Sequence, residues 1–150
     1  MSSIIAVGGG NTKSMLSVWR EWKLPEILAE AHESGIVMSG QSAGAICWFE
    51  HGVTDSRADA LGPLPCLGIL PGSCCPHYDG EVERRPAYRA LVRSGELPPG
   101  YAIEDGVAAH FRNGKLERVV SKRPGSKAYY VSVSNGQVTE RPLDATLVSL

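Results

Sequence analysis

The sequence carries almost no net charge: 15 Lys and Arg stand against 16 Asp and Glu, which leaves −1. That balance excludes the basic footprint of a nucleic-acid binder and the polybasic patch of a membrane-surface protein. Long apolar runs are missing too. No stretch approaches the roughly 20 residues of a membrane-spanning helix. The run IIAV at 4–7 is shorter than a signal-peptide core and has no cationic flank before it. Cysteine is sparse. Cys47, Cys66, Cys74 and Cys75 include no CxxC pair, and adjacent Cys74 and Cys75 lie inside an apolar run. That spacing suits neither a zinc site nor a disulfide framework, so the four read as reduced core thiols of a cytoplasmic protein. The chain also lacks internal repeats, low-complexity tracts, a GxGxxG fingerprint and a Walker lysine. The expected partners are therefore small molecules or other protein chains, with no nucleic acid and no membrane.

What is present suits one soluble domain over residues 1–150: 43% of the residues are apolar and 21% charged, enough for a modest core. SIIAVGGG at 3–10 reads as a buried strand running into a tight turn. Asn11 or Thr12 caps a first helix, and Pro25 suits the first turn of a second, which Gly35 stops. IVMSG at 36–40 is a second strand, and SAGAICWFEHG at 42–52 is expected to be helical. The order strand, helix, strand, helix belongs to a parallel α/β sheet. After a polar, Pro-containing stretch, CLGILPGSCC at 66–75 looks like another buried strand bent near Pro71-Gly72. RRPAYRALVRSG at 84–95 is a short helix. The last third changes character. Asn113-Gly114 and Asn135-Gly136 each separate alternating segments, a strong hairpin signal. The expected architecture is a parallel α/β core followed by antiparallel hairpins.

GQSAG at 40–44 satisfies G-x-S-x-G between an expected strand and an expected helix. A nucleophile elbow needs small residues on both sides of its serine, because the strand-to-helix turn is strained and crowded by neighbouring backbone. Ser42 is then the nucleophile, and the Ala43 N–H points into the site with the field of the helix N-terminus behind it. The alternative is a serine that merely caps a helix. GGGNT at 8–12 follows the first strand in the same manner, and its glycines let backbone N–H groups approach an anion closely. In a parallel sheet both loops emerge at the carboxyl ends of strands, where ligands bind. Gly10 and Ala43 could thus share one oxyanion.

A serine nucleophile needs a base. His32 lies at a solvent-leaning helix end, His51 late in the helix expected after Ser42, and His110 in an alternating strand. His77, directly after the strand that ends at Cys75 and fixed by Pro76, is the best placed. The acid that accepts from the other imidazole nitrogen is Glu104 or Asp105 in AIEDG, with Asp55 and Asp79 as competitors. Residue order alone does not choose among them.

Four blocks then carry a family likeness: VGGGNT at 7–12, GQSAGA at 40–45, PHYD at 76–79 and AIEDG at 102–106. Together they resemble the peptidase E (α-aspartyl dipeptidase) and cyanophycinase family of serine peptidases. The resemblance implies a class I glutamine-amidotransferase-like α/β fold with a Ser–His–acid triad. Ser42 matches the nucleophile, His77 the base and Asp105 the acid, with Glu104 one residue of misalignment away. Gly10 and Ala43 match the oxyanion hole. No metal or organic cofactor is implied. The implied activity is hydrolysis of short peptides. Asn11 is an expected substrate contact. The resemblance also implies a cation in the loop after the histidine that pairs with a substrate's N-terminal Asp, and Arg85, among Arg84, Arg85 and Arg89, is the choice for that role.

The likeness covers this whole sequence but about two-thirds of a typical member, which carries two or more β/α units before the Gly triplet. Such a chain leaves a sheet edge and apolar faces open, so a second copy, as a homodimer, or another chain is expected to cover them. Two other functions fit the same residues: a serine hydrolase of different specificity, such as an esterase, and a non-catalytic binding or assembly module.

Overall fold

The structure is a computed structural model that describes residues 3–57 and 60–148. Strand β1 (Ile4–Val7) runs into the Gly8–Gly10 turn. Asn11 caps helix α1 (Thr12–Glu21): its Oδ1 accepts the Ser14 N–H at 2.9 Å and satisfies one free donor of the first turn. Lys23 in the left-handed region turns the chain into α2 (Leu24–Glu33), which has Pro25 in its first turn. Strand β2 (Val37–Gly40) pairs in parallel with β1, with Val7 opposite Gly40.

The next segment differs from the sequence reading. The helix expected over 42–52 is a single turn, α3 (Ala43–Ile46), followed by strand β3 (Phe49–Thr54). Phe49, Val53 and Thr54 are aromatic or β-branched, as strands favour, and β3 gains a parallel partner in β5 (Leu70–Cys75). Gly52 then lies against α3 so closely that a Cβ there would sit 1.9 Å from Ile46 Cγ2. The field expected from a longer helix behind Ala43 shrinks to the N–H groups of one turn. His51, placed by sequence on that helix, is a strand residue.

The Pro-containing stretch holds strand β4 (Gly62–Pro65), antiparallel to β3 and at the end of its sheet, where Pro63 and Pro65 remove no interior ladder bond. Helix α4 (Arg84–Ser94) ends on Gly95 in the left-handed region. Strand β6 (Gly100–Ile103) lies parallel to β5. Strands β7 (Val107–Arg112) and β8 (Lys115–Ser121) form the hairpin expected around Asn113-Gly114. Strands β9 (Ala128–Ser134) and β10 (Gln137–Leu143) form the one around Asn135-Gly136. All four turn residues have positive φ, as a type I′ turn requires. Strand β11 (Ala145–Leu147) pairs in parallel with β8.

The main sheet is mixed: its order is β10-β9-β6-β5-β3-β4, with parallel β6, β5 and β3 at its centre and antiparallel strands at both ends. Of the last third, the β9–β10 hairpin extends this sheet, whereas β7, β8 and β11 form a three-stranded sheet of their own, and β1 and β2 likewise form a separate two-stranded one. Helix α4 packs Tyr88 and Val92 against Val53, Cys75, Ala102 and Val131 from that sheet. A second cluster joins α1 and α2 to Trp48 and Leu64, with Ile5 and Val7 of β1 against it. Among the described residues no helix is long and apolar enough to cross a membrane.

All four cysteines are free thiols, and Cys47, Cys74 and Cys75 are buried. Burial pushes Cys47 up to about 12, helped by neighbouring Cys66, and pushes Cys66 itself up to about 12. Folded values above the ordinary thiol range mean that this contribution to stability is complete below about pH 9. It is lost as pH rises toward 12. Native protein at pH 8 is therefore expected to resist a thiol-exchange reagent until denatured, and its unfolding midpoint to fall above pH 9. Rapid stoichiometric reaction of a native thiol at pH 8 would contradict this.

Candidate active site

Four loops leave the carboxyl ends of β1, β2, β5 and β6, and they hold Gly10, Ser42, His77 and Asp105 respectively. The first two are held together by backbone contact. A Cβ on Gly40 would sit 1.9 Å from the Gly44 carbonyl oxygen, and one on Gly44 would sit 2.1 Å from the Val7 carbonyl oxygen. Both positions of G-x-S-x-G therefore exclude any side chain. The Gln41 N–H donates to Val7 O at 3.1 Å, and the turn places Ser42 at φ +55°, ψ −116°. Such a conformation is costly for a residue with a side chain and persists only when its surroundings enforce it. The Gly triplet abuts it: a Cβ on Gly9 would lie 3.4 Å from Ser42 Cβ. The N–H groups of Gly10 and Ala43 donate to no acceptor among the described residues. Asn11 is engaged in capping α1, with its Nδ2 donating to Ser56 O at 3.4 Å.

Ser42 Oγ lies 3.0 Å from His77 Nε2, and His77 Nδ1 lies 2.7 Å from Asp105 Oδ1. The three side chains, from three different loops, form one continuous hydrogen-bonded line. His77 also has positive φ, +56°. Its turn is tied to the end of β6 by the Tyr78 N–H, which donates to Ile103 O at 3.1 Å.

Of the carboxylates that the sequence leaves open, Asp105 is the one that meets His77. Glu104 faces away: its carboxylate accepts the Lys127 N–H at 2.7 Å and the Tyr129 hydroxyl at 3.1 Å. Asp55 stands 3.9 Å from Arg84. Asp79 accepts the backbone N–H of Asp105 at 2.7 Å. Of the other histidines, His110 pairs with Glu117 at 2.9 Å, and His32 is exposed on α2.

Arg85 lies on α4 and stacks over the rings of Tyr78 and Tyr129, 5.2 and 5.3 Å from their centroids. Its guanidinium meets Glu140 of β10 through both Nε at 3.0 Å and Nη2 at 3.2 Å. Tyr78 and Arg89 donate to the same carboxylate. Burial pushes the Glu140 carboxyl up, but the hydrogen bonds from Tyr78 and Arg85 outweigh it and hold the group below the ordinary glutamate range. Arg84 is buried and gives its charge to Glu81 at 2.5 Å and to the Val53 carbonyl at 3.3 Å. Sequence reasoning missed Glu140, which arrives on β10, and Arg123, which follows β8 and donates from Nη1 to the Asp105 carbonyl at 3.1 Å. No local pattern marks either one.

An α/β protein with a serine on a strained turn, a histidine and a carboxylate in line defines a class of hydrolase-like sites. The model of peptidase family S51 matches residues 1–119, and the chain belongs to that family. It is 54% identical over 140 residues to the uncharacterized peptidase YgaJ of Bacillus subtilis (strain 168), a match covering 93% of this chain and 60% of the relative. It is 31% identical over 141 residues to Peptidase E of Haemophilus influenzae, covering 87% of this chain and 62% of that protein. The chain thus spans about three-fifths of the length of these curated relatives.

Gly80 tests the line of three side chains. A Cβ there would stand 2.1 Å from Asp105 Oδ2, so Gly80→Ala is expected to displace the carboxylate whose other oxygen meets His77. The expected outcome is a fall of about tenfold or more in fluorophosphonate labelling of Ser42, with the thermal midpoint little changed. Labelling at the wild-type rate would contradict the expectation that crowding Asp105 at Gly80 disturbs the line to Ser42.

Proposed function

We propose that the chain is one peptidase E-like catalytic domain, a serine dipeptidase that hydrolyses short peptides through an acyl-enzyme. The observation that carries this reading is the unbroken line from Ser42 Oγ through His77 to Asp105. The peptidase names of the relatives support the reaction class. The parallel centre of the sheet and the elbow after β2 support a class I glutamine-amidotransferase-like arrangement. The buried free thiols support a reducing, cytoplasmic setting.

In this reading His77 Nε2 takes the Ser42 hydroxyl proton as Oγ bonds to the scissile carbonyl carbon. Asp105 keeps the imidazole oriented by accepting from Nδ1. The carbonyl oxygen becomes an oxyanion between the N–H groups of Gly10 and Ala43, which are not engaged elsewhere among the described residues. His77 then passes its proton to the amide nitrogen as the C–N bond breaks and the amine leaves. Water gives a proton to Nε2 and its oxygen to the acyl carbon. The ester bond to Ser42 breaks, and Oγ recovers its proton. Every step is proton transfer and acyl transfer, so the cycle needs no metal or organic cofactor.

Asn11, next to Gly10, and Arg85 are the proposed substrate contacts. Arg85 supports a preference for N-terminal Asp because its guanidinium lies against Tyr78, the residue after His77. A substrate carboxylate would exchange with Glu140 for the same fork. Hydrolysis of Asp-X, Ala-X and Glu-X dipeptides by wild type and Ser42→Ala tests the whole. Turnover is expected to fall at least about 10⁴-fold in Ser42→Ala, and Arg85→Ala is expected to raise KM for Asp-X selectively. No turnover by well-folded wild type would refute the dipeptidase. Equal losses on Asp-X and Ala-X in Arg85→Ala would reduce Arg85 to a partner of Glu140.

A homodimer is proposed as well. Ile4 and Val37 are register partners on β1 and β2, and they are 65% and 48% exposed. Parallel sheets are ordinarily covered on both faces. A dimer mass by light scattering is expected. A monodisperse monomer that binds no hydrophobic dye would count against it.

A further inference from the structure

Asp105 sits in the turn between β6 and β7, where backbone is freer to move than in a strand. Its carboxylate nevertheless has to meet His77 Nδ1 within hydrogen-bond distance, and a misplacement near 1 Å at such a site costs about 10²-fold in rate. Two side chains outside the line of three hold the Asp105 backbone. Asp79 Oδ1 accepts the Asp105 N–H at 2.7 Å. Arg123 Nη1 donates to the Asp105 carbonyl at 3.1 Å and faces Asp79 Oδ2 at 3.4 Å. Arg123 is itself fixed by Ser121, whose Oγ accepts the Arg123 N–H at 3.0 Å and donates to the Arg123 carbonyl at 2.8 Å.

Asp79 is two residues from His77, in the same turn after β5. The bond from Asp79 to the Asp105 N–H thus ties the acid's peptide unit to the base's own loop, so that the two move as one piece. It also brings a second carboxylate close to Asp105. Like charges repel, and the Arg123 guanidinium, which touches both residues, offsets that repulsion. The Glu104 side chain pins the other side of the turn to Lys127 and Tyr129, so Asp105 projects from a loop held on both flanks.

We propose that Asp79 and Arg123 are positioning residues that set Asp105 against His77. The proposal rests on the reading of Ser42, His77 and Asp105 as the reacting line. Asp79 was a competitor for the role of acid. In this geometry it acts on the acid's backbone and not on the imidazole.

The test compares wild type with Asp79→Ala, Asp79→Asn, Arg123→Ala, Asp105→Ala and the double variant Asp79→Ala/Asp105→Ala. Two readouts are used: the rate of fluorophosphonate labelling at Ser42, and the low-field proton resonance of the His77 Nδ1–H. Asp79→Ala is expected to slow labelling by about 10- to 100-fold and to weaken or shift the resonance. Asp79→Asn keeps an oxygen for the Asp105 N–H and is expected to stay within about fivefold of wild type. Arg123→Ala is expected to fall between them. On top of Asp105→Ala, the Asp79→Ala change is expected to add nothing, since Asp79 acts only through Asp105.

Three results would overturn the proposal: wild-type labelling in Asp79→Ala, equal losses in the Ala and Asn variants, or losses that multiply in the double variant. Arg123→Ala and Asp79→Asn carry the test if Asp79→Ala does not fold. A wild type that never labels at Ser42 defeats the nucleophile reading. The resonance still reports, without any turnover, whether Asp79 holds Asp105 against His77.

Discussion

The contact between the backbone after β2 and the end of β1 governs the rest of this molecule. Gly44 lies so close to the Val7 carbonyl that not even a methyl group fits between them. That approach fixes the turn at Ser42, presses the Gly triplet against it and forces a residue with a side chain into positive φ. A strained serine of this kind survives because the neighbouring strand leaves it no relaxed alternative. The cost is borne by the pairing of β1 with β2 and by the apolar cluster beneath them, where Val7, Leu16, Trp48 and Leu28 pack.

Two further sets of contacts bring the histidine and the acid to that serine. The parallel pairing of β5 with β6 sets their carboxyl ends side by side, so that loops 28 residues apart in the chain meet across 2.7 Å. The C-terminal hairpins then brace these loops from outside. Glu140 of β10 gathers Tyr78, Arg85 and Arg89 around one carboxylate, and Arg123 reaches from the end of β8 to Asp79 and Asp105. Charged groups therefore ring the site without facing Ser42 directly. Each has a partner of opposite sign, as a partly buried charge requires.

Much of this was legible beforehand in particular residues. The Asn-Gly pairs at 113 and 135 announced both hairpins, because type I′ turns demand positive φ at two successive positions. Gly40, Ser42 and Gly44 are legible as a tight, crowded turn, and Gly10, His77 and Asp105 as residues that follow strand ends; that those strands belong to two sheets, β1 and β2 in one and β5 and β6 in the other, is not. The helix after Ser42 was misread beyond Ile46. Cys47-Trp48-Phe49 is apolar enough for either a helix or a strand, and only the pairing of β3 with β5 decides between them. Residue order alone leaves the carboxylate that meets His77 open among Glu104, Asp105, Asp55 and Asp79, and the family likeness points to Asp105. Residue order does not say which loop lies beside His77, and adjacent residues in a turn point in different directions.

The sequence by itself determined the local chemistry: which turns could be tight, which serine sat between small residues, and that a histidine and carboxylates followed strands. Those features depend on backbone sterics and on neighbours a few residues away. Which carboxylate meets His77, what Asp79 and Arg123 hold, and where Arg85 spends its charge were decided only by tertiary structure. Each of those contacts joins residues 18 to 55 positions apart. Distances of a few tenths of an ångström across such separations follow from how strands pair and how a hairpin closes over a loop, and no short window of sequence contains them.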